Sequence, residues 1–263
     1  MSLELTGIRW SFPESEWRLG VDRLLVPPGD VLVVIGPNGS GKSTLLRIAA
    51  GILRPREGRV LFRGSDIFRL SRAAVARRLG YLPQETRSDT DFTVTQLVRL
   101  GRYPHTGLFG GMDATDHAIV RECLAQTGLE DLADRPLSRL SGGERKRAFL
   151  ASVLAQKPDV LLLDEPTASL DLHHQVRFFR LLRRLARTGL GIAVVTHDIN
   201  FAALYGDRLL FLHNGRVLAW DTPDTALRAE NVRAAYGDSV TLLPHPSAPR
   251  PAVLPLPEED ERP

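Results

Sequence analysis

A buried strand, a glycine-rich loop and a helix follow one another without a break in residues 31–46, VLVVIGPNGSGKSTLL. The continuous apolar run at 31–35 predicts a strand that is buried on both faces. The spacing of the apolar residues in STLLRIAAG predicts a helix that ends at Gly51. Between the two, Gly36 to Ser43 match the pattern G-x-x-x-x-G-K-[ST]. The sequence therefore predicts a strand–loop–helix unit that binds phosphate.

The residue types in this loop suit a nucleoside triphosphate. Gly36, Gly39 and Gly41 let the backbone bend, so that successive N–H groups converge on phosphate oxygens. The helix that begins near Lys42 adds the positive end of its dipole. We expect Lys42 to reach the β- and γ-phosphates, and Ser43 to offer its hydroxyl to Mg²⁺.

A second buried strand ends in two acidic residues. In DVLLLDEP, residues 159–166, Asp164 lies at the carboxyl end of an apolar run. A carboxylate in that place suits Mg²⁺, held directly or through water. Glu165 points in a different direction, and we expect it to polarise an attacking water as a general base.

The remaining segments indicate an α/β protein with a helical insert. Strands separated by helices indicate a mainly parallel sheet, and short alternating strands are predicted over residues 3–35. DRLLFLHNGRVLAW predicts a hairpin that turns at Asn214-Gly215. Helical patterns dominate residues 88–155. The proline-rich segment 241–263, acidic at its end, predicts an extended or mobile tail.

Composition and charge argue against several classes of protein. The net charge of +3 gives no argument for nucleic-acid binding. Cys123 is the only cysteine, so no internal disulfide is possible and a reducing compartment fits. The start MSLELTGIRW shows no secretory signal, and no apolar run approaches the roughly 18 residues that span a bilayer. We expect a protein that is soluble on its own account.

A second helix start that suits a phosphate occurs in LSGGERKR, residues 140–147. Ser141, Gly142 and Gly143 open this helix with hydroxyl and backbone donors. One compact domain hardly needs two such helix starts for a single nucleotide. The economical solution is a head-to-tail dimer, in which the SGG segment of each copy closes over the nucleotide of the other.

Taken in order, these motifs resemble those of the ATP-binding-cassette family over about residues 3–240. GPNGSGKST resembles its Walker A motif, LSGGE its signature and VLLLDEP its Walker B motif. Gln84 in YLPQ resembles the Q-loop, Asp171 in SLD the D-loop, and His197 in VVTHD the switch histidine.

This resemblance implies a fold and a domain organisation. The fold is a P-loop NTPase (RecA-like) core with a mainly parallel sheet, an antiparallel β subdomain and an α-helical subdomain that carries the signature. The ATP-binding domain spans 1–240, with the helical subdomain at about 88–155 and the proline-rich tail at 241–263. The active form is a homodimer that holds two ATP molecules at its interface.

The resemblance also implies roles for individual residues. Glu165, His197 and Gln84 form the catalytic set: Gln84 senses the γ-phosphate and Mg²⁺, and His197 hydrogen-bonds the γ-phosphate and fixes the lytic water. Ser43, Gln84 and Asp164 hold the metal. The residues expected to contact ATP are Gly36, Pro37, Asn38, Gly39, Ser40, Gly41, Lys42, Ser43, Thr44, Phe12, Ser141, Gly142, Gly143 and Asp171.

The residue that stacks on adenine is left open by the sequence. The family often uses a tyrosine, and this chain has Phe12 in the corresponding place, with Trp10 and Trp17 nearby. Stacking requires only a π-face, so Phe12 can serve, and either tryptophan could substitute.

Two kinds of machine carry such a cassette: the motor of a transporter, and a soluble ATPase of translation or DNA repair. The chain has a single cassette and neither long heptad repeats nor zinc-binding cysteines, which favours the motor. A stand-alone cassette indicates bacterial-type import through a separate permease, at the cytoplasmic face of the cell membrane. Nucleic acid is not expected as a partner.

Finer resemblance bears on the cargo. FTVTQLVRLGRYPHTGLFG, LDLHHQ and HDINFAALYGDRLLFLHNGRV are similar to importers of ferric siderophores, haem and cobalamin. In these systems a separate extracytoplasmic protein captures the chelate. Ferric siderophore is favoured, then haem, then cobalamin. Adjacent His173 and His174 face different ways on a helix, which favours a solvated or dimer-edge pair over a metal site.

Overall fold

The computed structural model of the chain describes residues 2–14, 16–85, 91–106 and 111–257. The predicted boundary at residue 88 and the last residues of the tail, 258–263, lie outside this part. Its strands are β1 (Leu3–Ser11), β2 (Arg18–Val26), β3 (Val31–Ile35), β4 (Glu57–Phe62), β5 (Ser65–Asp66), β6 (Leu79–Leu82), β7 (Val160–Asp164), β8 (Gly191–Val195), β9 (Arg208–His213), β10 (Arg216–Asp221), β11 (Val240–Pro244) and β12 (Pro251–Pro255).

Ten of these strands form one large sheet in the order β5-β4-β1-β2-β10-β9-β3-β8-β7-β6. From β9 to β6 every pairing is parallel, whereas β1, β2, β4 and β5 pair antiparallel. The predicted hairpin of β9 and β10, which turns at Asn214-Gly215, is confirmed. The prediction of a parallel α/β core with an antiparallel β portion is therefore confirmed.

The central strands β3, β7 and β8 are buried along their whole length, as their apolar sequences predict. In β3, Val31, Val33 and Ile35 pack into one apolar cluster, and Leu32 and Val34 into another on the opposite face. Because successive side chains of a strand point to opposite faces, a strand without polar residues needs a covered sheet on both sides. Each fully buried side chain of this kind contributes about 1.5–3 kcal/mol.

Helices cover both faces of the sheet. They are α1 (Lys42–Ala49), α2 (Arg72–Ala76), α3 (Val94–Leu100), α4 (Tyr103–Thr106), α5 (Ala114–Thr127), α6 (Gly142–Ala155), α7 (Leu172–Arg187), α8 (Ile199–Tyr205), α9 (Pro223–Ala226) and α10 (Ala229–Tyr236). Single 3₁₀ turns occur at Ile67–Arg69, Glu130–Leu132, Leu137–Arg139 and Gly237–Ser239. Within the described residues, every helix is too short or too polar to span a bilayer.

The helices α3, α5 and α6 pack against one another as the helical segment predicted from the sequence. A Cβ atom built on Gly101 would lie 2.0 Å from the carbonyl oxygen of Ser152, so glycine allows α3 to approach α6 closely. Beside this contact, Arg102 donates to Asp116 at 2.8 Å and to the carbonyl oxygen of Ala155 at 2.6 Å. These buried bonds join the end of α3 to α5 and to the end of α6.

The proline-rich segment differs from the sequence expectation of an extended or mobile tail. Residues 240–255 form an antiparallel hairpin of β11 and β12, with Val240 opposite Pro255 and Pro244 opposite Pro251. The prolines stand at the open end of the hairpin and beside its turn. At these positions the missing N–H of proline removes few hydrogen bonds between the strands, so β11 and β12 can still pair.

Candidate active site

The phosphate loop is held in a conformation that requires glycine at three places. Gly36, Gly39 and Gly41 have φ angles of 146°, 76° and 103°. A Cβ atom built on Gly36 would lie 2.0 Å from the carbonyl oxygen of Leu212, so any side chain there would push the loop off β9. The loop is also tied to the β9–β10 turn, since Gly215 donates its N–H to the carbonyl oxygen of Ser40 at 3.1 Å.

Lys42 lies inside this loop. Its side chain is almost fully buried, and its Nζ donates to the carbonyl oxygens of Gly36 at 2.8 Å and Pro37 at 2.9 Å. Burial lowers the pKa of the Lys42 ammonium, and the nearby carboxylates of Glu165 and Asp164 oppose that shift. A buried cation bound only by neutral carbonyls has a strong remaining attraction for an anion such as phosphate.

Asp164 and Ser43 meet at the entrance of α1. Asp164 is fully buried at the end of β7, and Ser43 donates its hydroxyl to the Asp164 Oδ1 at 2.9 Å. Tyr81 donates to Oδ2 over a longer distance of 3.5 Å. Burial raises the pKa of Asp164, and the Ser43 hydrogen bond opposes it. A hydroxyl and a carboxylate side by side are hard oxygen ligands, so this pair fits Mg²⁺.

Glu165 is paired on both of its carboxylate oxygens. Gln84 donates through Nε2 to Oε2 at 2.7 Å, and His197 contacts Oε1 through Nε2. The sheet order explains this meeting, because β6, β7 and β8 are parallel neighbours that end at the same edge. Gln84 follows β6 and His197 follows β8, on either side of Glu165. Glu165 itself has φ 46°, a left-handed conformation that is uncommon for residues other than glycine.

Most of these residues line one cleft of about 650 Å³, and Asp164 is buried next to it through its bond with Ser43. The lining residues are Phe12, Trp17, Asn38, Gly39, Gly41, Lys42, Ser43, Thr44, Gln84, Glu165 and His197. Within the phosphate loop, the Ser40 hydroxyl is buried and has no hydrogen-bond partner among the described residues. The cleft therefore joins a cationic loop, a pair of metal-type ligands and a carboxylate, which together fit a nucleoside triphosphate with Mg²⁺.

The aromatic residues considered for adenine occupy different places. Phe12 and Trp17 line the cleft, with their ring centroids 6.0 Å apart. Trp10 packs edge-on against Phe12, with centroids 4.4 Å apart, and lines a neighbouring cleft instead. Phe12 is half exposed. Stacking of Phe12 on adenine stays a prediction.

The residues of the SGG segment and Asp171 lie apart from this cleft. Ser141 is the N-cap of α6 and forms a reciprocal capping box with Glu144. Gly142 lines a second cleft of about 350 Å³ that also contains Gln84. Asp171 is the exposed N-cap of α7, where its carboxylate accepts from the backbone N–H of His174. A role for these residues in nucleotide binding stays a prediction that needs a second copy of the chain.

The contacts of Lys146 and His174 beside the cleft were not predicted from the sequence. Lys146 of α6 donates to the main-chain oxygen of Gln84 at 2.5 Å. His174 lies with its ring against Gly143 while its Nδ1 contacts the Asp171 carboxylate at 2.9 Å. The scarcity of lysine could have drawn attention to Lys146, since the chain has only two others. Its partner is a backbone atom, however, and no sequence pattern indicates that.

Comparisons with known proteins show the family to which the chain is similar. The family model described as ABC transporter matches residues 21–168. The achromobactin transport ATP-binding protein of Dickeya dadantii is 43% identical over 89% of this chain and 87% of its own length. The hemin import ATP-binding protein of Streptomyces coelicolor is 42% identical over 90% of this chain and 83% of its own length.

A longer relative is the cobalamin import ATP-binding protein of Halobacterium salinarum, 40% identical over 98% of this chain. This chain spans only 64% of that protein's length. Among solved structures, an inward-facing ABC transporter described as of the metal-chelate type has a TM-score of 0.85 at 26% identity, and 98% of each chain is covered. A dimeric bacterial ABC transporter cassette has a TM-score of 0.72 at 28% identity, over 84% of this chain and 98% of its own. Because the family model matches residues 21–168 and relatives at 42–43% identity cover most of the chain, the chain belongs to the ABC transporter family.

Proposed function

We propose that this chain is the ATP-hydrolysing subunit of an ABC importer that drives uptake of an iron chelate or related cofactor through a separate permease. The observation that carries the proposal is the cleft lined by Lys42, Ser43, Glu165 and His197, with the buried Asp164 bonded to Ser43. The alternative, a non-transport ABC ATPase of translation or DNA repair, has no specific observation in its favour.

In the proposed reaction the phosphate loop binds and orients the nucleotide. Gly41, the N-cap of α1, has no side chain that could cap the helix. The backbone N–H groups at the start of α1 are therefore available for phosphate oxygens. Lys42 neutralises charge on the β- and γ-phosphates, and Ser43 with Asp164 holds Mg²⁺. When bound, Mg²⁺ neutralises the charge that develops on the transferred phosphoryl oxygens.

The other side chains of the cleft orient the attacking water and accept its proton. Glu165 accepts a proton from the attacking water as general base. His197 orients the water and the γ-phosphate, and Gln84 connects the site to the chain that follows β6. Gln84 donates to one Glu165 oxygen and His197 contacts the other, and each carboxylate oxygen keeps a second lone pair that can accept from the attacking water.

The dimer and the membrane partner are further parts of the proposal. The SGG segment lies outside the cleft and heads the long helix α6, so its donors suit a nucleotide held by a second copy. The permease would place the chain at the cytoplasmic face of the cell membrane as a peripheral subunit. The extracytoplasmic binding protein would act indirectly, through the permease, and nucleic acid is not expected.

The cargo is proposed from relatives, because the cassette does not contact it. Relatives at about 40% identity are named for transport of achromobactin, hemin and cobalamin. We favour a ferric siderophore, then haem, then cobalamin.

The first test is steady-state phosphate release by the purified full chain with ATP and Mg²⁺. Lys42→Ala should abolish tight nucleotide binding. Glu165→Gln should keep binding, form an ATP-bound dimer in size-exclusion chromatography and lose turnover about 10²- to 10⁴-fold, the contribution of a general base. Lys157→Met, at an exposed lysine outside the cleft, is the control. Full turnover of Glu165→Gln would contradict its role as base.

The second test separates the motor from the non-transport ATPase. The tagged chain is recovered from gently solubilised native membranes and its co-purifying proteins are identified. A polytopic permease is the expected partner, and stimulation of its ATPase by binding protein with ferric siderophore, haem or cobalamin would then identify the cargo. Recovery with ribosomes or DNA and no membrane protein would contradict the import proposal.

A further inference from the structure

The hairpin of β11 and β12, called here the C-terminal hairpin (residues 240–255), is anchored in the main core. Val253 is only 8% exposed and belongs to the same apolar cluster as Val33 and Phe201. Leu242 on the facing strand packs against that cluster from a partly buried position. At the turn of the hairpin, Arg250 pairs with Asp224 at 2.7 Å. The segment is therefore a packed element of the fold.

One side chain of α8 binds the C-terminal hairpin in the manner of a neighbouring strand. The Asn200 Nδ2 donates to the carbonyl oxygen of Val253 at 3.1 Å, and the Val253 N–H donates to the Asn200 Oδ1 at 2.8 Å. Both polar atoms of the amide are thus bound to one residue. Two bonds between rigid groups fix the direction of Asn200 as well as its position.

Asn200 lies in the first turn of α8, which begins directly after the site. Asp198 is the N-cap and accepts from the Phe201 N–H at 2.9 Å, so the cap and the first turn are joined. On the inner side, Phe201 stacks on Phe179 of α7 with ring centroids 4.9 Å apart. The C-terminal hairpin holds a different side of the same turn. Between the two contacts, the start of α8 has little freedom to shift.

His197 depends on this support because its own side chain is lightly packed. Its imidazole contacts Glu165, yet the side chain is 47% exposed. A half-exposed side chain is oriented mainly by the backbone that carries it. That backbone joins β8 to the Asp198 cap, within three residues of Asn200.

We propose that the C-terminal hairpin braces α8, and that Asn200 is a positioning residue that holds His197 against Glu165 through this brace. The inference rests on the proposed function, because it requires the Glu165–His197 contact to take part in ATP hydrolysis. It assigns a role to a segment whose sequence gave none.

The test is a double-mutant cycle in the full chain, with Asn200→Ala made alone and in a His197→Ala background. Alone, Asn200→Ala should lower kcat about five- to tenfold and leave the KM for ATP within twofold, because the phosphate loop lies on other elements. In the His197→Ala background the same substitution should change kcat less than twofold. Asn200→Asp keeps the acceptor for the Val253 N–H and should give an intermediate loss.

The matched control is Asn231→Ala, which removes another amide bound to a backbone oxygen, that of Ala226, on α10 instead of α8. Equal kcat for the two alanine variants would overturn the proposal, as would an equal loss in both His197 backgrounds. A wild-type chain without turnover, or a His197→Ala chain with full turnover, would overturn the proposed function, and this inference falls with it.

Discussion

Lys146→Met is the substitution that most directly tests how the signature helix acts on the catalytic carboxylate. The Lys146 ammonium donates to the main-chain oxygen of Gln84 at 2.5 Å, and the Gln84 side chain donates to Glu165 at 2.7 Å. Burial lowers the pKa of Lys146, although Glu165 opposes the shift. Methionine has a side chain of similar length but lacks the charged donor, so Gln84 loses its anchor to α6.

The magnitude follows from the type of bond. Hydrogen bonds with a charged partner contribute about 1.5–3 kcal/mol, and a partly exposed position puts this bond near or below the lower limit. Taking about 1–1.5 kcal/mol, and a tenfold change in rate for about 1.4 kcal/mol, we expect kcat to fall about five- to tenfold. The KM for ATP should change little, because Lys146 does not line the nucleotide cleft.

The assay is steady-state ATP hydrolysis by the purified chain, with thermal unfolding measured in parallel. Lys157→Met is the control: it removes a lysine of the same helical segment that pairs with Glu122 at 2.6 Å, both side chains being nearly half exposed. Equal kcat values for the two variants would contradict the action of Lys146 on Glu165 through Gln84. A loss in Lys146→Met that appears only as a higher KM would contradict it as well.

Three further outcomes are expected. Phe12→Ala should raise the KM for ATP about tenfold and spare kcat, since base stacking contributes about 1–3 kcal/mol; a larger effect of Trp17→Ala would move the stacking role to that residue. The Arg102 guanidinium holds the pKa of Asp116 below its usual value, so their pair stabilises the fold at neutral pH and loses this effect as the pH falls below about 4. Arg102→Met should therefore lower the free energy of unfolding by about 2–3 kcal/mol at pH 7, and urea titrations should show this difference shrinking in acid; a constant difference would contradict the ionic role. Burial raises the pKa of Cys123 to about 11, so a thiol reagent at pH 8 should label the native chain slowly and label one thiol per chain after denaturation; fast labelling of the native chain would indicate a loose core around α5.

The sequence predicted the fold and the main site because both depend on local patterns. The apolar runs of β3, β7 and β8 indicate strands buried on both faces, and such strands lie inside a parallel sheet. Once the strands are parallel neighbours, the residues after their carboxyl ends must meet at one edge. The approach of Lys42, Glu165 and His197 therefore follows from their place in the chain order.

The contacts that were not predicted depend on tertiary approach. Gln84 and Glu165 are far apart in the chain, and only the order of the strands and the side-chain rotamers decide that their side chains join. Lys146 binds a backbone atom, which no residue pattern marks. The sequence predicts an extended or mobile tail where the C-terminal hairpin lies, because prolines weaken the strand signal, yet the prolines of the two strands stand at the strand ends.

Gln84 and His197, which contact the Glu165 carboxylate, are held in place by different parts of the molecule. Gln84 is anchored through Lys146 to α6, whose N-terminus is the SGG segment proposed to meet a second copy. His197 is carried by the start of α8, which rests on α7 and the C-terminal hairpin within its own chain. A movement of α6 during dimer closure would therefore act on the Gln84 side and leave His197 in place. In that arrangement Oε2 of Glu165 would lose its Gln84 contact and be more open to the attacking water, while the His197 contact at Oε1 would keep the carboxylate oriented.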